Sequence, residues 1–200
     1  LIKRFLEHLR IERNASEHTI RSYASDLGQF RDFLWSAGFH RDEEKGDVRV
    51  EAIDPLAIRA YLSHLYRGLK KSSLARKLAA QRSFFRYLVD EGVLKRSPAE
   101  IMATPKQEKN LPAFLSVDEV FTLVGAPDKS TTWGARDRAM LETLYSCGIR
   151  VSELVGLSDG DVDFHLGIAR VTGKGRKERV VPIGGKAIEA LQAYLPQRDE

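Results

Sequence analysis

Two hundred residues, 42% hydrophobic and 30% charged, carry enough apolar material for one large or two small folded domains and too much for a disordered chain. One cysteine, Cys147, excludes an internal disulfide framework and a multi-cysteine metal site, and the five histidines lack ligand spacing. No apolar run approaches the roughly 18 residues of a membrane span, and the N-terminus has no secretory pattern. A cytoplasmic location is expected, with no membrane partner, metal or cofactor.

The formal charge of +4 is unevenly spread. Residues 1–105 hold 19 Lys/Arg against 14 Asp/Glu, whereas residues 106–200 hold 13 against 14. Between Asp54 and Asp90 there is no acid, yet there are eight bases: Arg59, Arg67, Lys70, Lys71, Arg76, Lys77, Arg82 and Arg86. So long an acid-free basic segment in a folded domain points to a polyanion.

Taken in chain order, apolar residues at Ile2, Phe5, Leu6 and Leu9 predict a first helix. Ile20, Tyr23, Leu27, Phe30 and Leu34 predict a second, with Ser16 placed to cap it. Beyond the charged stretch HRDEEKGD, Ile58, Leu62 and Leu65 predict a third. After the turn at Gly68, Leu74, Leu78, Phe85 and Leu88 predict a fourth over 72–89. Residues 1–103 thus read as a small four-helix domain. Residues 104–113, with Pro105 and Pro112 and no apolar period, read as a linker carrying Lys106 and Lys109. In the remainder, 114–200, Ser116 and Glu119 form a capping-box pattern, and Gly148 suits the left-handed end of the next helix. A short helix at 151–155 is followed by three β-rich pieces, VDF, IARV and ERVVPI, which predict an antiparallel meander closed by a helix over 186–195. The fold class is mainly α with a small antiparallel sheet.

On a wheel of about 100° per residue, Ser72, Arg76, Ala79 and Ser83 of the fourth helix fall opposite its apolar stripe. Small residues let that face approach a surface closely, and an arginine there can fork onto phosphate or a guanine edge. Lys70, Lys71, Ser73, Lys77 and Arg82 join it as candidates, as do Thr19, Arg21 and Ser22 early on the second helix. A single basic helix face is more often merely solvated; the missing acids favour nucleic acid.

Two further features carry chemistry. In VTGKGRKERVVPI, Gly173 and Gly175 are expected to supply positive φ to a tight hairpin that presents Lys174 at its tip, with Arg176 and Lys177 beside it. It lacks P-loop spacing and joins strand to strand, which excludes a nucleotide cradle. Upstream, in YSCGIRVSELVGL, Arg150 occupies the corner after Gly148 with Glu153 one turn later, a pair suited to holding a guanidinium toward a phosphate.

CGIRVSEL followed by VTGKGRKERVVPI resembles the catalytic signature of the tyrosine recombinases, the phage-integrase family, and its Xer branch in particular. SEHTIRSYASDLGQF and SSLARKLAAQRSFFRYLVDEGVLKRSPA resemble that family's helical, SAM-like core-binding domain, and PKQEKNLPAFLSVDEV its linker and first catalytic helix. The likeness runs through the whole chain in order. It implies that Arg150 binds the scissile phosphate, that Lys174 is the general acid for the departing 5′-hydroxyl, and that Glu153 supports the site. It implies strand exchange through a 3′-phosphotyrosine, without metal or ATP. The family's His-x-x-Arg pair and tyrosine nucleophile have no counterpart among these residues, so 114–200 is expected to be the first part of an α+β catalytic domain. The 200-residue chain by itself is expected not to cut DNA. The implied partners are double-stranded DNA, a second recombinase subunit in a tetrameric synapse, and a DNA translocase as activator. Chromosome dimer resolution at cell division is the expected role. A mobile-element integrase and a non-catalytic DNA-binding protein are the alternatives.

Overall fold

A computed structural model describes residues 1–106, 113–173, 175 and 177–198. The chain divides into two compact units, Leu1–Asn110 and Leu111–Glu200.

The first unit holds four main helices: α1 (Ile2–Ile11), α2 (Glu17–Ser36), α3 (Pro55–Tyr66) and α4 (Lys71–Asp90). Two of them begin where the sequence supplies a cap. Ser16 Oγ accepts from the Thr19 N–H at the start of α2, and Asp54 caps α3, whose first residue is Pro55. The apolar stripes converge on one core in which Phe5, Leu27, Leu34, Ile58, Leu78, Phe85 and Leu88 are buried. Phe5 meets Phe84 edge-on with centroids 5.4 Å apart, and Phe30 lies 5.0 Å from Tyr61. Burial pushes the Tyr61 hydroxyl up to about 12, with the Asp26 charge adding to the effect.

HRDEEKGD is more structured than its composition suggests. It folds as a two-residue-per-strand hairpin, β1 (Arg41–Asp42) on β2 (Asp47–Val48), followed by a single 3-10 turn at Val50–Ala52. Val48 alone of its four strand residues is buried, which is why no apolar alternation announces it.

The second unit runs α5 (Val117–Gly125), α6 (Thr132–Cys147), α7 (Val151–Val155), a three-stranded antiparallel sheet and α8 (Gly185–Arg198). The sheet is a meander, β3 (Val162–Asp163), β4 (Ile168–Thr172) and β5 (Glu178–Pro182). Ser116 and Glu119 form the reciprocal capping box of α5. Gly148 ends α6 at φ 59°, its N–H donating to Leu144 O, and the chain turns there into α7. The core of this unit is thin: Ala169, Ile183 and Ala187 are its buried cluster.

Candidate functional site

The corner between α6 and α7 and the hairpin between β4 and β5 meet at one carboxylate. Arg150 is the last extended residue before α7 (φ −75°, ψ 152°), and Glu153 is the third residue of that helix. Glu153 folds back so that Oε2 accepts the Arg150 backbone N–H at 2.8 Å, while Oε1 accepts an Arg150 Nη1 bond at 3.0 Å. A second arginine completes the arrangement. Arg179, on β5 opposite Val171, donates from Nη1 to Oε1 at 2.8 Å and from Nη2 to Oε2 at 2.9 Å. The two guanidinium groups and one backbone amide satisfy a carboxylate that is only 4% exposed. The Arg179 bonds first, then the Arg150 amide, hold the Glu153 pKa down to about 2. The Arg150 side chain remains 74% exposed.

Gly173 explains how the hairpin comes so close. The expectation that both hairpin glycines adopt positive φ holds for Gly175 (φ +77°) and not for Gly173. Gly173 instead eases a close approach: a Cβ on it would lie 3.2 Å from Glu153 Oε1, a tight contact, and 3.5 Å from Arg179 Nη1, ordinary packing distance. Its N–H donates to Lys177 O at 2.8 Å and closes the turn. Lys174 and Arg176 lie outside the described residues, as does Lys109 of the linker. Lys177 and Lys106 are exposed.

The candidate face of the first unit is only partly as expected. Ser72 and Arg21 are exposed, Ser73, Thr19 and Ser22 half-buried, and Lys70 and Lys71 exposed at the start of α4. Lys77 requires correction. It is 5% exposed, because on the α4 wheel it falls between Phe84 and Leu88 inside a buried stripe broader than four apolar residues. An ammonium there needs a counter-charge, and Asp26 of α2, itself 2% exposed, supplies it at 3.0 Å. Arg76 also pairs with Asp26. Its side chain is 47% exposed, so one edge of the expected guanidinium fork is already engaged. Arg82 is corrected as well: it donates to Met102 O and, at 2.7 Å, to Thr104 Oγ1, and so fastens the end of the first unit to α4. Asp26 and Arg179 are the residues that reading the sequence missed.

Among the described residues no group of His, Cys, Asp and Glu could hold a metal ion, and no helix is long and apolar enough to cross a membrane.

Comparison with known proteins sets this geometry in context. Residues 2–92 match the phage integrase N-terminal SAM-like domain, and residues 113–200 match the phage integrase family. A curated relative from Pelobacter propionicus, named tyrosine recombinase XerC, is 47% identical over 198 residues, covering 98% of this chain and 63% of the relative. Another XerC, from Pelotomaculum thermopropionicum, is 48% identical over 195 residues, covering 97% and 63%. The chain therefore spans just under two thirds of the length of these relatives. Among solved structures, XerH recombinase bound to a palindromic difH substrate superposes with a TM-score of 0.71 at 23% identity, over all of this chain and 58% of that one. A lambda integrase tetramer bound to a Holliday junction gives 0.69 at 20% identity, over 96% and 54%. At these identities the structural likeness establishes the fold.

Proposed function

The chain belongs to the phage integrase family of tyrosine recombinases, and on that premise we propose that the full-length protein cuts and rejoins duplex DNA at a specific site through a covalent 3′-phosphotyrosine. The observation that carries the reading is the Arg150–Glu153–Arg179 cluster seated against the base of the lysine-bearing hairpin. Arg150 is exposed yet tethered, which suits a cation that meets a nonbridging phosphate oxygen as charge accumulates in the transition state. Glu153 is the tether. Lys174, one residue beyond Gly173 in sequence, is assigned the proton for the departing 5′-hydroxyl. A tyrosine nucleophile stores the phosphodiester energy for rejoining, so the chemistry calls for neither metal nor nucleotide.

The first unit supplies DNA grip. Thr19, Arg21, Ser22, Lys70, Lys71, Ser72, Ser73 and Arg76 are its proposed contacts, joined by Lys106 and Lys109 in the linker and by Arg176 and Lys177 on the hairpin. Relatives named XerC at 40–48% identity favour a Xer-type role over a mobile-element integrase, and chromosome dimer resolution at cell division follows from that role. The working assembly is a tetrameric synapse with a second recombinase subunit, with a DNA translocase as activator.

The test is adduct trapping by the full-length protein on a nicked suicide substrate. A phosphotyrosyl adduct should form, and Arg150→Ala should abolish it while leaving most DNA affinity, which many other phosphate contacts supply. An Arg150→Ala protein that forms the adduct normally contradicts the assignment.

A further inference from the structure

We propose that Arg179 is a positioning residue: by neutralising Glu153 through a two-bond fork, it keeps Arg150 turned outward for phosphate instead of consumed by its own tether. The inference rests on the reading of Arg150 given above. Its basis is the unequal division of one carboxylate between two arginines. Arg179 engages both Glu153 oxygens, at 2.8 and 2.9 Å. Arg150 gives the carboxylate one guanidinium bond, at 3.0 Å, and meets the other oxygen with its backbone N–H. The exposures follow the same division, with the side chain of Arg150 at 74% and that of Arg179 at 42%.

Charge arithmetic gives the consequence. Two guanidinium groups against one carboxylate leave a single positive charge at the corner, on the side chain open to solvent. Without Arg179 the cluster is neutral. Without Arg179 the buried carboxylate keeps only the Arg150 backbone N–H on one oxygen and one Arg150 guanidinium bond on the other, too little for a charge so buried. Arg150, already bonded to Oε1, then takes up the oxygen that Arg179 leaves, and a bidentate Arg150–Glu153 pair forms at the expense of the phosphate. Gly173 sits against the same carboxylate: a Cβ there would lie 3.2 Å from Glu153 Oε1, a tight contact that the glycine avoids. The arrangement also locks β5 to α7 through residues 26 apart in sequence, so the hairpin and the Arg150 corner are registered through one carboxylate.

This account predicts a reversal that a merely structural arginine would not produce. In single-turnover cleavage by the full-length protein, Arg179→Ala should slow the reaction at least tenfold while DNA affinity changes less than threefold. Arg179→Lys, which keeps the charge and loses the planar fork, should fall between. Adding Glu153→Gln to Arg179→Ala should speed cleavage at least threefold over Arg179→Ala alone, because the charge that recaptures Arg150 is gone. Thermal midpoints are recorded for every variant. If Arg179→Ala does not fold, the comparison is made between Arg179→Lys and Glu153→Gln/Arg179→Lys, with the same order expected. A double variant as slow as the single one, or slower, overturns the proposal; so does a loss that resides wholly in DNA affinity. Arg150→Ala is the control that separates the two claims. If it cleaves normally, the reading of Arg150 itself fails; if it is inactive while Arg179→Ala cleaves normally, only the positioning role fails.

Discussion

Replacing Asp26 by alanine tests the most consequential revision of the expected DNA face. Asp26 is 2% exposed and bonds both Lys77, 5% exposed, and Arg76. Its removal leaves the Lys77 ammonium buried with Gln29 Oε1 as its remaining described acceptor, while Arg76 is free to turn into solvent. Breaking a buried pair by deleting one partner costs about 3–5 kcal/mol, a large part of the roughly 5–15 kcal/mol by which a domain is stable. For a unit of this size that corresponds to a fall in Tm of at least about 12 °C. Urea denaturation in a Trp133→Phe background makes Trp35 the one reporter, and it lies in the first unit. Lys77→Met retains the packed stem and leaves Asp26 paired to Arg76, so it should cost less than Asp26→Ala. If Asp26→Ala leaves the urea midpoint unchanged, Lys77 is a free surface cation and the burial argument is wrong.

Glu153 should titrate near pH 2 by carboxyl-carbon NMR. Because its folded pKa lies below the ordinary 4.5, its stabilising contribution is complete above about pH 4.5 and is lost as pH falls toward 2, so the stability advantage of the native protein over Glu153→Gln should shrink across that window; a midpoint near 4.5 would show the cluster does not form. Gly134→Ala should destabilise the second unit by about 1–3 kcal/mol, since the new Cβ would lie 1.9 Å from Asp128 O and backbone must move. By contrast Gly28→Ala, within α2 and with nothing within 4 Å of its added Cβ, should stabilise the first unit by about 0.5–1 kcal/mol in the same denaturation assay, and a loss there would mean that the helix packs more closely than described.

The residues that were legible are those whose reasons are local. The stripe of α2, the Ser16 cap, the Ser116–Glu119 box and the left-handed Gly148 depend on neighbours within a turn or two, and each appears where periodicity and capping place it. Arg150 and Glu153, three residues apart, were visible for the same reason. What was hidden depends on distance along the chain. The 55–89 segment contains no acid, but its counter-charge arrives from Asp26, 51 residues before Lys77, so a charge count along the sequence overstated the free basic face. Arg179 sat in plain view as one of four cations around the turn, yet its partner lies 26 residues upstream on another element. Glu153 itself was visible, but its burial, which calls for a second cation, gives no sequence signal. Gly173 looked like a conformational glycine, and only the packed geometry shows that its backbone is not left-handed and passes close to Glu153.

The central claim, that Arg150 stabilises charge on the phosphate while Lys174 delivers a proton, is tested most directly by single-turnover cleavage of a 5′-bridging phosphorothioate substrate beside the ordinary one, using the full-length protein. Sulfur is a far better leaving group than oxygen and leaves without a proton, so the substitution should largely restore cleavage by Lys174→Ala. It should leave Arg150→Ala inactive, because the nonbridging oxygens gain charge whichever atom departs. Rescue of neither variant, or of both to the same degree, would contradict the account and return the hairpin lysine to the role of a cation that only holds DNA.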